Sequence, residues 1–216
     1  CIAERDTGRV VLGRDRLGVK PLYYWHNGKT LLFASEIKAL LAHPEFSVRL
    51  NHSALNEYFT FQNLFSFQTL FDGVTMLPPA NTVRVDKAHR SGVRHNSWWN
   101  YDFSEPDEKM EFSDAVQETE RLLQKAVARQ MISDVPVGAY LSGGMDSGSI
   151  SSIASRHVKR LSTFTAGFDM SSVTGVEANY DERRDAELMA SALKTEHYEQ
   201  VINAGDLAWS LPRVVW

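Results

Sequence analysis

Ser142-Gly-Gly-Met-Asp-Ser147 stands between the apolar run Val135–Leu141 and a stretch with helical spacing. A strand, a tight polar loop and a helix start, in that order, make a phosphate cradle. Gly143 and Gly144 allow close backbone approach and unusual dihedrals. Ser142 and Ser147 add hydroxyls, and the amides that open the following helix favour an anion. Asp146 is the odd member, because a carboxylate repels phosphate unless a cation lies between them. It reads as a Mg2+ ligand. The loop also lacks the lysine that a Walker-type loop sets on its β- and γ-phosphates. A cradle of amides, hydroxyls and Mg2+ suits chemistry that keeps AMP and expels pyrophosphate from ATP. That is adenylation rather than kinase-style transfer.

Around this loop the pattern alternates. Phe112, Ala115, Val116, Thr119, Leu122, Leu123, Ala126 and Val127 recur at three and four and predict a long amphipathic helix. The strand Val135–Leu141, a helix over Ser147–His157, a strand over Leu161–Phe168, a helix over about Asp181–Leu193 and a strand over Tyr198–Ile202 follow. Alternating strands and helices predict a parallel sheet with helices on its faces. Nucleotides bind such sheets at the carboxyl ends of the strands, where the loop at 142–147 falls.

Before residue 104 the period is shorter. Val10–Leu12, Leu22–Trp25, Thr30–Ala34, Val74–Leu77, Thr82–Val85 and the Ser97–Tyr101 region read as strands. His26-Asn-Gly-Lys29 is a hairpin signal and Pro78-Pro79 a turn. Ser35–Leu41 reads as a short helix capped by Ser35, and a second helix capped by Asn51 or Ser53 runs to about Thr60. Arg14, Asp15 and Arg16 are charged turn residues whose simplest role is a structural ion pair. Ser104-Glu-Pro-Asp-Glu-Lys109 is polar, carries a proline and separates the two patterns. The expected division is therefore 1–103, a linker at 104–111, and 112–216.

Composition narrows the class. A formal charge of −4 on 216 residues, without basic runs, argues against a nucleic-acid surface. No stretch approaches the apolar length of a membrane span, so no membrane partner is expected. The single cysteine excludes an internal disulfide and fits a reducing, cytoplasmic compartment. Cys1 itself is followed by a charged turn rather than the glycine-containing turn of an N-terminal nucleophile. It reads as a buried strand cysteine that truncation exposes. The histidines and the cysteine lack metal-ligand spacing.

Ser133-Asp-Val-Pro-Val-Gly-Ala-Tyr-Leu-Ser-Gly-Gly-Met-Asp-Ser147 resembles the pyrophosphatase-loop signature of glutamine-hydrolysing asparagine synthetases. Gly13-Arg-Asp-Arg-Leu-Gly-Val-Lys-Pro-Leu-Tyr-Tyr24 and Phe33-Ala-Ser-Glu-Ile-Lys-Ala-Leu40 resemble the last third of their glutaminase domain. Phe71-Asp-Gly-Val74, Leu77-Pro-Pro79 and Trp99-Asn-Tyr101 fit the connecting segment, and Tyr180-Asp-Glu182 with Ala190 to His197 fit the later helix and strand. Gly148, where a second serine is common, and Met145, where leucine is common, depart from the signature.

The resemblance implies a two-part fold, α+β and then α/β. The first part would be the C-terminal end of an Ntn-type glutaminase sandwich. The second would be the first half of a parallel-sheet ATP-pyrophosphatase domain, adenine nucleotide alpha hydrolase-like. It implies an enzyme that draws ammonia from glutamine and uses ATP and Mg2+ to activate aspartate as aspartyl-AMP, which ammonia converts to asparagine. Ser142, Gly143, Gly144, Asp146 and Ser147 would then contact pyrophosphate and Mg2+, and Leu141 and Ala166 would hold the adenosine. No catalytic residue is assigned within the chain. The family's nucleophilic cysteine, its glutamine-binding residues and its later glycine-acid-rich motif have no counterpart here, so a piece cut at both ends is expected. Its partners would be small molecules (aspartate, glutamine or ammonia, ATP), with a homodimer left open. Two alternatives stand beside this reading. One is a related enzyme adenylating another carboxylate, such as a β-lactam synthetase or a peptide or saccharide amidotransferase. The other is a non-catalytic nucleotide-binding module.

Overall fold

A computed structural model of the chain describes residues 1–86, 92–104, 110–169 and 181–215. The linker residues 105–109 and Tyr180 lie outside them. The chain parts into two compact units, Cys1–Ser104 and Glu105–Trp216.

The first unit is built from antiparallel strands. β1 (Ile2–Glu4), β2 (Arg9–Gly13), β6 (Asn81–Asp86) and β7 (Arg94–Ser97) form one sheet in the order β1-β2-β6-β7. β3 (Tyr23–His26), β4 (Leu31–Ala34) and β5 (Val74–Met76) form a second, in the order β4-β3-β5. Period-2 alternation decides which residues are shared. Leu12, Val83 and Tyr24 point into one buried cluster with Leu77, contributed by both sheets. Tyr23 and Trp25, one residue either side of Tyr24, face a second cluster around Leu40, Phe46 and Val74. The helix α1 (His52–Phe61) starts at Asn51, whose side chain accepts from the Ser53 and Ala54 amides.

Three expectations for this unit change. The segment after Ser35 is a 3₁₀ helix, Ile37–Ala42, preceded by an extended Glu36 and without a side-chain cap. It closes on i→i+3 bonds such as His43 N to Leu40 O at 3.1 Å, and Pro44 follows at once. The last strand is Arg94–Ser97 rather than 97–101. β6 begins at Asn81, opposite Ser97, so beyond the Trp98 N to Ala80 O bond no partner strand continues the ladder. Cys1 is exposed and stands one residue before β1 rather than within a strand.

The second unit alternates helix and strand. α2 (Phe112–Gln130) leads to β8 (Gly138–Tyr140), α3 (Met145–Ala154), β9 (Ser162–Phe168), α4 (Arg183–Leu193), β10 (Glu196–Ile202) and α5 (Ala204–Val215). The strands form a parallel sheet in the order β10-β9-β8. β8 is shorter than the run that predicts it, since Pro136 has no amide to donate to a ladder. α5 is not evident from its sequence. Asn203 accepts from the Gly205 and Asp206 amides to start it, although Pro212 lies inside it. The core has two patches. Val127, Ile153, Ala154 and Leu161 form one, and Leu141 with Ala186 and Ala190 forms the other. On β9, Thr163, Thr165 and Gly167 are buried while Phe164, Ala166 and Phe168 are exposed.

Candidate functional site

The loop after β8 sits at the carboxyl end of the parallel sheet. Its base is tied to β9. The Leu141 amide donates to Phe164 O at 2.9 Å, and the Leu141 carbonyl accepts from the Thr165 hydroxyl. The Leu141 side chain is buried beneath α4 against Ala186 and Ala190. A ligand can therefore reach Leu141 only through its backbone, and there mainly through the carbonyl's second lone pair.

Two hydroxyls then fold the loop on itself. Ser147 Oγ accepts from the Ser142 amide at 3.1 Å and lies 2.9 Å from Ser142 Oγ. Ser142 Oγ accepts from the Gly144 amide at 3.3 Å. These bonds bring both serines to one point beside the first turn of α3. No side chain caps that helix at Gly144, so its first amides are available to an anion.

The two glycines are not equivalent. Gly143 has φ +79°, a left-handed conformation that other residues adopt at a cost of about 1 kcal/mol or more. A Cβ there would also lie 2.6 Å from Asp185 Cβ and 2.9 Å from the Ala186 amide nitrogen. Gly144, at φ −72° and ψ 162°, occupies ordinary extended backbone, where a Cβ meets nothing closer than Ser142 Oγ at 3.3 Å. Sequence alone assigns unusual dihedrals to both. Only Gly143 requires them.

Asp146 is the second residue of α3 and is exposed. Among the described residues no group of three or more His, Cys, Asp or Glu side chains converges on a metal position. One exposed carboxylate beside a loop of backbone amides and hydroxyls nevertheless fits Mg2+, which commonly takes one or two carboxylates together with phosphate oxygens. Ala166 lies on β9 two residues beyond Phe164, exposed and opposite Gln200 of β10. The loop, the end of β9 and Ala166 thus share one edge of the sheet.

At the start of α4 the residue pattern gives the helix but not its ion pair. Arg183 donates to both carboxylate oxygens of Asp181, at 2.8 and 2.6 Å. That guanidinium holds the Asp181 carboxyl below the usual carboxylate range. The Arg183 side chain also crosses Gly167 so closely that a Cβ there would overlap it. His197, expected between helix and strand, is the second residue of β10 and meets Thr163 Oγ1 through Nδ1 at 3.0 Å, in a part-buried polar pair that ties β10 to β9. A cavity of about 540 Å³ lies behind the loop between α2, β8 and α3, with Leu123, Val127, Tyr140 and Ile150 on its walls. Ser147 is its one loop residue, and its apolar lining does not suit phosphate.

In the first unit, Arg14 donates to three carbonyls: Leu77 at 2.6 Å, Gly18 at 2.7 Å and Lys20 at 2.9 Å. Asp15 accepts from the Val19 and Leu17 amides, chiefly the former, which lowers its pKa. These are turn-fixing contacts. Arg16 lies over the rings of Trp98 and Trp99 at 6.0 and 5.8 Å.

Comparison with known proteins divides the chain in the same two parts. A family model described as asparagine synthase matches residues 118–216, and one described as a glutamine amidotransferase domain matches residues 1–99. The chain is 34% identical to asparagine synthetase [glutamine-hydrolyzing] 3 of Bacillus subtilis over 94% of its own length and 34% of the relative's. It is 30% identical to a putative asparagine synthetase [glutamine-hydrolyzing] 2 of Methanocaldococcus jannaschii over 100% of its length and 41% of the relative's. It is also 32% identical to amidase chry2 of Gibberella zeae, over 73% of its length and 23% of the relative's. The chain spans a third to two fifths of the length of the two synthetases.

Proposed function

The chain belongs to the glutamine-hydrolysing asparagine synthetase family, and from that premise we propose that it carries the nucleotide cradle of an ATP-dependent amide-forming ligase. The observation that carries this is the loop itself. A left-handed Gly143, two convergent serine hydroxyls and an uncapped helix start meet at the carboxyl edge of a parallel sheet.

In this reading the pyrophosphate end of ATP rests on Ser142, Gly143, Gly144 and Ser147. Leu141, through its backbone, and Ala166 flank the adenosine. Asp146 would hold Mg2+, which neutralises the charge of the departing pyrophosphate. The aspartate carboxylate attacks the α-phosphorus, the bond to the β-phosphate oxygen breaks, and aspartyl-AMP and pyrophosphate form. Ammonia from glutamine then attacks the acyl carbon, and AMP leaves with the bonding electrons as asparagine forms. The first unit would be the C-terminal end of an Ntn-type glutaminase sandwich and the second the first half of an adenine nucleotide alpha hydrolase-like domain. The single cysteine accords with a cytoplasmic setting.

The test is Asp146→Ala in the full-length protein. ATP-dependent pyrophosphate release should fall about 100-fold or more while glutamine hydrolysis persists. Unchanged pyrophosphate release would refute the assignment. A second reading, adenylation of a different carboxylate, is favoured by the similarity to an amidase outside the synthetases. Pyrophosphate release that depends on another carboxylic acid and not on aspartate would select it.

A further inference from the structure

Helix α4 meets the nucleotide loop, β9 and α3 at positions without side chains. Gly143 is pressed by Asp185 and Ala186, Gly167 is crossed by Arg183, and Gly148 receives Met189. The last contact is the tightest against α3, since a Cβ on Gly148 would overlap the Met189 sulfur and lie 2.7 Å from its terminal methyl. Gly148 is also the residue whose amide closes the first turn of α3, donating to Gly144 O at 2.9 Å. Met189 packs at the same time against the cluster of Leu141, Ala186 and Ala190, and Leu141 is the residue that enters the loop.

We infer that Met189 is a positioning residue for the phosphate loop, seated on α3 at Gly148 and fixing where the loop's amides and hydroxyls stand. The inference rests on the proposed nucleotide-binding role of that loop. Its physical basis is that the thioether fills the notch Gly148 leaves in α3 while the same side chain packs on Leu141, which enters the loop. A methyl added at Gly148 displaces the flexible end of Met189 from that notch and lets the loop above Leu141 shift. Serine-bonded loops tolerate such shifts poorly, because a displacement of an ångström is enough to spoil hydrogen bonds to a bound phosphate.

The experiment uses the full-length protein with ATP titrated in a pyrophosphate-release assay. Gly148→Ala should raise the KM for ATP about tenfold with little change in kcat. Gly148→Ala combined with Met189→Ala should raise the KM no further than the larger single effect, because both changes remove the same contact. A folded Gly148→Ala protein with wild-type KM overturns the inference, and so does a double variant whose KM rises by the product of the two single effects. Should Gly148→Ala not fold, Met189→Ala alone, which adds no atoms, should still raise the KM for ATP several-fold; a wild-type value there also overturns it. Asp146→Ala separates the two levels. If it keeps pyrophosphate release, the nucleotide reading and this inference fall together. If it loses release while both Gly148→Ala and Met189→Ala keep wild-type KM, only the role of Met189 falls.

Discussion

Gly18 and Arg14 depend on each other. Gly18 has φ +63°, and a Cβ there would lie 2.8 Å from the Arg14 guanidinium carbon. Gly18→Ala is expected to destabilise the first unit by about 1–3 kcal/mol, from backbone strain plus displacement of the arginine, measured by urea denaturation. An unchanged midpoint would show that the arginine relocates without loss. At this scale the sequence was partly legible. Gly18 and the charged turn are visible in the residue order, and so are the serines and the aspartate of the cradle. The partners are not visible. Leu77 reaches Arg14 across 63 positions, and Met189 reaches Gly148 from another helix, so neither contact leaves a local trace. The difference between Gly143 and Gly144 is hidden for the same reason, because α4 creates it.

Among the elements, α2, β9, α4 and the β3–β4 hairpin follow from period and turn chemistry. The misses have local causes. Pro136 shortens β8, the start of β6 fixes the limit of β7, and a run too short for an α-helix closes as 3₁₀. The loop after α1 offers a pH test. The Glu57 carboxylate accepts from the Phe65 amide at 2.7 Å, the Ser66 amide at 2.9 Å and the Ser66 hydroxyl. The Ser66 hydroxyl bond leads in lowering the Glu57 pKa. A carboxyl depressed in the folded state stabilises above its unfolded pKa and loses that contribution as pH falls through the folded value. The protection of the Phe65 and Ser66 amides, taken relative to the intrinsic exchange rate at each pH, should therefore be full above about pH 5 and fall as the pH drops through the lowered Glu57 value. Glu57→Gln should remove that pH dependence, and its persistence would assign the protection to other groups.

At the scale of the whole molecule, the change of period near residue 104 and two long motifs in order disclose a two-part chain. The buried clusters of the first unit share no residue with those of the second. Leu12→Ala and Leu161→Ala, each at a buried position, should cost about 2–5 kcal/mol apiece. Their effects should add to within about 0.5 kcal/mol in a denaturation series, and a larger coupling would reveal a shared cooperative unit. Arg14 has a further consequence, for a chain growing on the ribosome. Its clamp on the early turn needs the carbonyl of Leu77, and β2 needs β6, so that corner stays unlatched and hydrated until a long downstream stretch has emerged. Such non-local closure is expected to slow folding of the first unit relative to a unit built on local contacts. A truncation ending before Leu77 should leave the Arg14 turn open to a protease that the completed unit resists.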